Sequence, residues 1–172
     1  MSFVVEDGSG LASANAFISI AYMKAYFFDR GRSEIQDMDA NLLKSAIVRA
    51  TDDINMRFCR DFQGELATTT QALLFPRDNV VDRFGNYYLS TILPVELQKA
   101  TAELARYALT NELDGVKVAG SISGVSVSES GGGITVSESY SGNGLNPDQK
   151  EFPLIESLLK PILENNATYL VR

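Results

Sequence analysis

The chain has 172 residues, a hydrophobic fraction of 45%, a charged fraction of 22% and a formal net charge of −7, the profile of one folded domain rather than of wholesale disorder. No run approaches the roughly 18 to 20 apolar residues that cross a bilayer, and the opening MSFVVEDGSG lacks the basic and apolar segments of a secretory signal, so a cytosolic product is expected. With no histidine and one cysteine, Cys59, a single chain cannot build a Cys/His zinc site and lacks the most frequent general base, while its acidity disfavours gripping a duplex, whose non-specific affinity comes from neutralised phosphates.

Residues 3–17 read as an opening segment, with Phe3-Val4-Val5 as a short strand and Asp7-Gly8-Ser9-Gly10 as a turn. Ser13, Asn15 and Ser19 compete to cap a first helix carrying Ile20, Met23, Tyr26 and Phe27 on one stripe. Arg30 in its last turn suits the negative end of the helix dipole, and Gly31 suits the left-handed position beyond it. A second helix starts at the N-cap Asp39, and Leu42, Leu43, Ala46, Ile47, Ala50 and Ile54 form its buried face.

Between the helical halves lies the segment 70–94. Its apolar run Ala72 to Phe75 needs a partner, which the second helix supplies, and Pro76 stops any helix there. Arg77, Asp78, Asp82 and Arg83 make a charge-balanced loop, and residues 82–86 read as a turn between two extended arms, Val80-Val81 and Tyr87-Tyr88-Leu89. Neighbouring strand residues point to opposite sides, so at least one of Tyr87 and Tyr88 is exposed or meets another subunit. A third helix begins with Pro94 as its first residue and Glu96 near its positive end. Val95, Leu97, Ala100, Thr101, Leu104, Ala105, Ala108 and Leu109 follow, an alanine-rich stripe that lets the second helix approach closely.

After Gly115 the pattern changes. Val and Ile alternate with small polar residues over 116–141, which predicts a β-hairpin turning at Gly131-Gly132-Gly133. A last helix follows Phe152-Pro153, with Leu154, Ile155, Leu158, Leu159 and Ile162 on its apolar stripe and Pro161 kinking or shortening it. The fold class is therefore mainly α: one domain over 1–172, a bundle of about four helices (about 13–113 and 152–164), an inserted hairpin (about 116–141) and an extended C-terminal tail (165–172).

Chemistry has little to work with. Asp52-Asp53 with Asp61, or Asp78 with Asp82, are the candidate acid/base or cation sites. Adjacent acids on a helix diverge, however, and Asp78-x-x-x-Asp82 lacks the alternating ligand pattern of a calcium loop. No catalytic residue, cofactor or metal is expected.

Ala14-Asn15-Ala16-Phe17-Ile18-Ser19 with Ala25-Tyr26-Phe27 and Arg30-Gly31, then Ala50-Thr51-Asp52, Thr70-Gln71-Ala72-Leu73 with Phe75-Pro76-Arg77, and Leu93-Pro94 with Ala100 to Ala105 form an ordered set. Its order and spacing resemble the head-tail connector proteins of tailed bacteriophages, also called adaptor or head-completion proteins, some of whose relatives are labelled DnaT-like single-stranded DNA-binding proteins. Phe75 stands where tryptophan is common in that family, and the hairpin is longer than the family leads one to expect. The resemblance implies a non-enzymatic virion protein in the neck, made in the host cytoplasm. It implies a ring, usually dodecameric, beneath the portal protein, with the tail or next neck protein below and genomic DNA passing through without specific binding. On that reading Asn165, Asn166, Ala167, Thr168, Tyr169, Leu170, Val171 and Arg172 dock on the portal, and Arg77, Asp78, Asp82, Arg83, Tyr87 and Tyr88 serve subunit contacts. The alternative is single-stranded nucleic-acid binding, in which Phe84, Tyr87 and Tyr88 stack bases and Arg77 and Arg83 meet phosphates.

Overall fold

Among the described residues the fold is mainly helical, with four α-helices, a two-stranded antiparallel hairpin and a second, very short antiparallel strand pair. The computed structural model describes residues 2–113, 122–130, 133–140 and 152–164, the two hairpin strands as backbone only. In chain order these are α1 (Ile20–Phe28), α2 (Ala40–Arg57), β1 (Glu65–Leu66), β2 (Arg77–Asp78), α3 (Val95–Ala108), β3 (Ile122–Ser130), β4 (Gly133–Tyr140) and α4 (Pro153–Leu159). Short 3-10 turns occupy Ser33–Ile35 and Lys160–Ile162. The chain divides into two compact units, 1–111 with 152–172 and 112–151.

The helical unit is built on α2 and α3. Leu43, Ala46, Ile47, Ala50 and Ile54 of α2 are buried, as are Leu97, Ala100, Leu104, Ala105 and Ala108 of α3. Alanine on the shared face lets the two helices pack closely, and α4 covers α3 from another side. Asp39 caps α2 by accepting hydrogen bonds from Asn41 N and Leu42 N. Of the three candidate caps for α1 the structure uses Ser19, whose Oγ accepts from Tyr22 N at 3.0 Å, and Gly31 takes the expected positive φ of 71°. Two buried threonines keep their hydroxyls satisfied. Thr51 Oγ1 accepts from Phe17 N, and Thr101 Oγ1 donates to Leu97 O.

Several expectations are corrected. Apolar periodicity places Leu42, Val95 and Leu154 on buried stripes, yet all three are exposed. Each lies in the first turn of its helix at the edge of the apolar arc, where no neighbouring element covers it. Pro94 is the N-cap of α3 rather than its first residue. Arg77-Asp78 is not loop but β2, paired antiparallel with β1. The 3-10 turn at Ser33–Ile35 buries Ile35 and gives no periodic signal in so short a stretch. Pro161 does shorten α4, which ends at Leu159 and continues as the 3-10 turn.

The N-terminal segment closes on itself through one carboxylate. Glu6 is buried, and its oxygens accept from Gly8 N (2.9 Å), Gly10 N (2.8 Å) and Leu11 N (2.9 Å). Gly8 passes so close to residue 91 that a Cβ there would sit 1.9 Å from Thr91 O, so only glycine allows this loop to rest on the segment leading into α3. In the hairpin unit β3 and β4 pair with Val127 opposite Val136 and Ser126 opposite Ser137, with a register shift between Ile122 and Gly124. The proposed hairpin turn and the flanks of the 116–141 segment lie partly outside the described residues.

One polar contact couples α1 to α3. Tyr26 Oη donates to Glu103 Oε1 at 3.0 Å, and the Arg30 guanidinium lies 3.4 Å from the Tyr26 ring centroid. Burial, reinforced by Glu103 and opposed by Arg30, pushes the Tyr26 phenol up to about 12. The unfolded phenol, with an ordinary value of about 10, gives up its proton first, so this contact's contribution is whole below about pH 10 and is lost as pH rises toward 12. Urea midpoints measured across that alkaline range should fall less steeply in Tyr26→Phe than in the parent; parallel curves would show that Tyr26 is not the group responsible.

Candidate functional site

The segment from β2 to the start of α3 stands on a polar base centred on residues 62–64. Phe62 is buried and meets Phe75 edge-on, ring centroids 5.0 Å apart. Arg77 points back into this base: Nε donates to Gln63 O at 2.7 Å and Nη2 to Gly64 O at 2.6 Å, with Phe62 O at 3.4 Å. Burial pulls the Arg77 pKa down, opposed by the charges of Glu164 and Glu65. Gly64 approaches β2 so closely that a Cβ would lie 1.9 Å from Asp78 O. The Gln63 side chain then ties two elements together, accepting from Val81 N at 2.9 Å and donating to Pro161 O and Leu163 O at 3.0 and 3.1 Å.

Above this base the chain forms the expected turn between extended arms. Val81 bridges Tyr87 antiparallel, Tyr88 N donates to Val80 O, and Asp82 N donates to Asn86 O. The Asp82 carboxylate accepts from Phe84 N at 2.7 Å and Asn86 N at 2.9 Å. These bonds, the Asn86 amide first, hold its pKa below the usual carboxylate range. A second anchor comes from α3. Glu96, buried in the first turn, accepts from Tyr88 Oη at 2.7 Å and faces the Arg83 guanidinium at 3.4 Å. Burial and the Glu96 contact push the Tyr88 phenol well above its ordinary value.

The predicted residues therefore divide. Asp82, Arg83 and Tyr88 gather around the turn and Glu96, whereas Arg77 is engaged with carbonyls of its own chain and Asp78 sits in β2 opposite Glu65. Tyr87 points out with 73% exposure, together with Phe84 (82%), Leu89 (66%), Ile92 and Val95. The proposed portal-binding residues 165–172 lie outside the described residues. The anchoring roles of Glu96 and Gln63 and the exposure of Leu89 and Ile92 do not follow from the sequence pattern. Nothing in local periodicity marks a glutamate or glutamine that reaches across the fold. Among the described residues, no three His, Cys, Asp or Glu side chains cluster to hold a metal, and no helix is long and apolar enough to cross a membrane.

The two arginines should behave oppositely on substitution. Arg77→Ala removes charged hydrogen bonds to the base and should cost about 1.5–3 kcal/mol, while Arg83→Ala at the exposed turn should stay within about 0.5 kcal/mol. Urea unfolding measures both, and equal effects would contradict the placement of Arg77 as the inner clamp.

A family model described as "Putative DnaT-like ssDNA binding protein" covers residues 1–172. No curated protein and no solved structure matches the chain. Because that model spans the whole sequence, the chain belongs to the DnaT-like single-stranded DNA-binding family.

Proposed function

We propose that the protein is a non-enzymatic structural subunit that assembles with copies of itself into a ring adaptor between the portal and the tail of a tailed bacteriophage, completing the head and continuing the DNA channel. The observation that carries the self-assembly is the exposure of Phe84, Tyr87, Leu89, Ile92 and Val95 along the segment that runs from the anchored turn into α3. Large apolar side chains gathered on one exposed segment mark contact surfaces, and a prebuilt turn loses little conformational freedom on docking. The net charge of −7 suits a channel subunit past which a polyanion slides. The place in the virion comes from the sequence resemblance. Tyr87→Glu combined with Leu89→Glu should shift sedimentation from an assembled species to the single chain while leaving the circular dichroism spectrum intact; an unchanged assembly would remove the turn as the contact.

A second reading, single-stranded DNA binding, has the family's description in its favour, and that description supports it rather than the virion role. Phe84 and Tyr87 are open for base stacking, and Arg83 lies beside them with its guanidinium 5.9 Å from the Phe84 ring centroid. The same surface thus fits either partner. Titration of a labelled oligonucleotide at low salt separates them: strong binding that weakens steeply with salt favours the second reading, and no binding favours the first.

A further inference from the structure

Beside the turn, a groove of about 560 Å³ opens between the 81–83 segment and the end of α4, within the size range of small-ligand sites. Its walls carry Arg83 on one side and Ser157 and Lys160 on the other. Ser157 and Lys160 are three residues apart, so they share a face as α4 gives way to its 3-10 turn. Gln63 forms part of the lining and fixes both walls, because its amide holds Val81 N as well as the carbonyls of Pro161 and Leu163. The groove is therefore part of the anchored base, its two walls held by the chain's own hydrogen bonds.

The groups left for a ligand are cationic or hydroxylic. The Asp82 carboxylate in the lining is occupied by the amides of its own turn. Both donors of the Gln63 amide are taken by Pro161 O and Leu163 O, and its oxygen already accepts from Val81 N. The Arg83 side chain is 60% exposed and meets Glu96 only at 3.4 Å, with the carboxylate itself buried behind it. Lys160 and Ser157 are exposed, and their side chains make no hydrogen bond or ion pair among the described residues. The lining thus sets two cations and a hydroxyl against one ionised carboxylate, Asp82, whose oxygens are turned to the amides of its own turn. This arrangement favours an anion at the Arg83 and Lys160 side of the groove in a chain of net charge −7. Phe84 beside Arg83 adds an open aromatic face.

We infer that this groove binds the phosphodiester backbone of a single DNA strand, with Arg83 and Lys160 as the phosphate contacts and Ser157 as a hydrogen-bond donor. The inference rests on the second reading above and gives it a site. Phosphate is favoured over a protein carboxylate because a stacking ring adjoins the cations, the pairing of groups that single-strand binders use.

The test compares the full-length parent with Arg83→Ala/Lys160→Ala, using fluorescein-labelled oligothymidylate at several salt concentrations and a poly-glutamate peptide of similar charge as the second probe. The parent should bind the oligonucleotide, the double variant at least tenfold more weakly, and the slope of log affinity against log salt should shrink by about 0.7 per lost phosphate contact. Both substitutions are at the surface, so an unchanged urea midpoint certifies the fold. Equal oligonucleotide binding by parent and variant would overturn the groove while leaving the second reading standing. No binding by the parent would overturn that reading and the groove with it. Poly-glutamate binding as tight as the oligonucleotide, with the same dependence on the two cations, would reassign the groove to an acidic protein segment.

Discussion

The contacts around residues 62–64 are the constraint on which the outward face depends. Arg77 closes on the carbonyls of this stretch, Gly64 lets β1 and β2 meet without a Cβ in the way, and Gln63 spans from Val81 to the end of α4. A half-buried guanidinium with its donors placed on carbonyls is costly to disturb, because removing it strands several acceptors at once. Glu96 supplies the matching hold from α3 through Tyr88 and Arg83. The turn at 82–86 is thus fixed at both flanks while its tip stays in water.

That arrangement explains why apolar and aromatic side chains at 84–95 can be both exposed and ordered. A loose loop bearing Phe84, Tyr87 and Leu89 would fold back onto whatever apolar surface it could reach. Here the anchors prevent this, and the side chains remain available to something outside the chain. The two proposed readings share the tip but differ in their neighbours: copy-to-copy contact would use Leu89, Ile92 and Val95, which are exposed, and strand binding would use Arg83 and the groove it lines with Lys160. The net charge works against a nucleic acid approaching from most directions, and it works against a second copy as well, so either partner must use the locally favourable side.

Much of the helical frame was legible in the sequence because apolar periodicity reports burial directly. The stripe from Leu43 to Ile54, the alanines of α3, the Asp39 cap and the shortening at Pro161 were all readable. So was the alternation that makes β3 and β4 a hairpin. Periodicity fails at first turns, where Leu42, Val95 and Leu154 continue a pattern that no neighbour completes. It is silent about polar reach. Nothing in the order of residues says that Gln63 will hold Val81, that Glu96 will take the Tyr88 hydroxyl eight positions back, or that Glu6 will gather three backbone amides. In the candidate site the composition was readable, and the division between the inward Arg77 and the outward Arg83 was not, since both are arginines in a mixed-charge segment and only tertiary contacts separate them.

The claim that the anchored turn exists to meet another copy is tested most directly by the mass of the full-length chain in solution, measured by native mass spectrometry and light scattering over a wide concentration range. The account predicts a closed species at an integer multiple of the chain mass, reached at a defined concentration and holding one stoichiometry above it. A single-chain mass at every concentration, with no larger closed species, would contradict it.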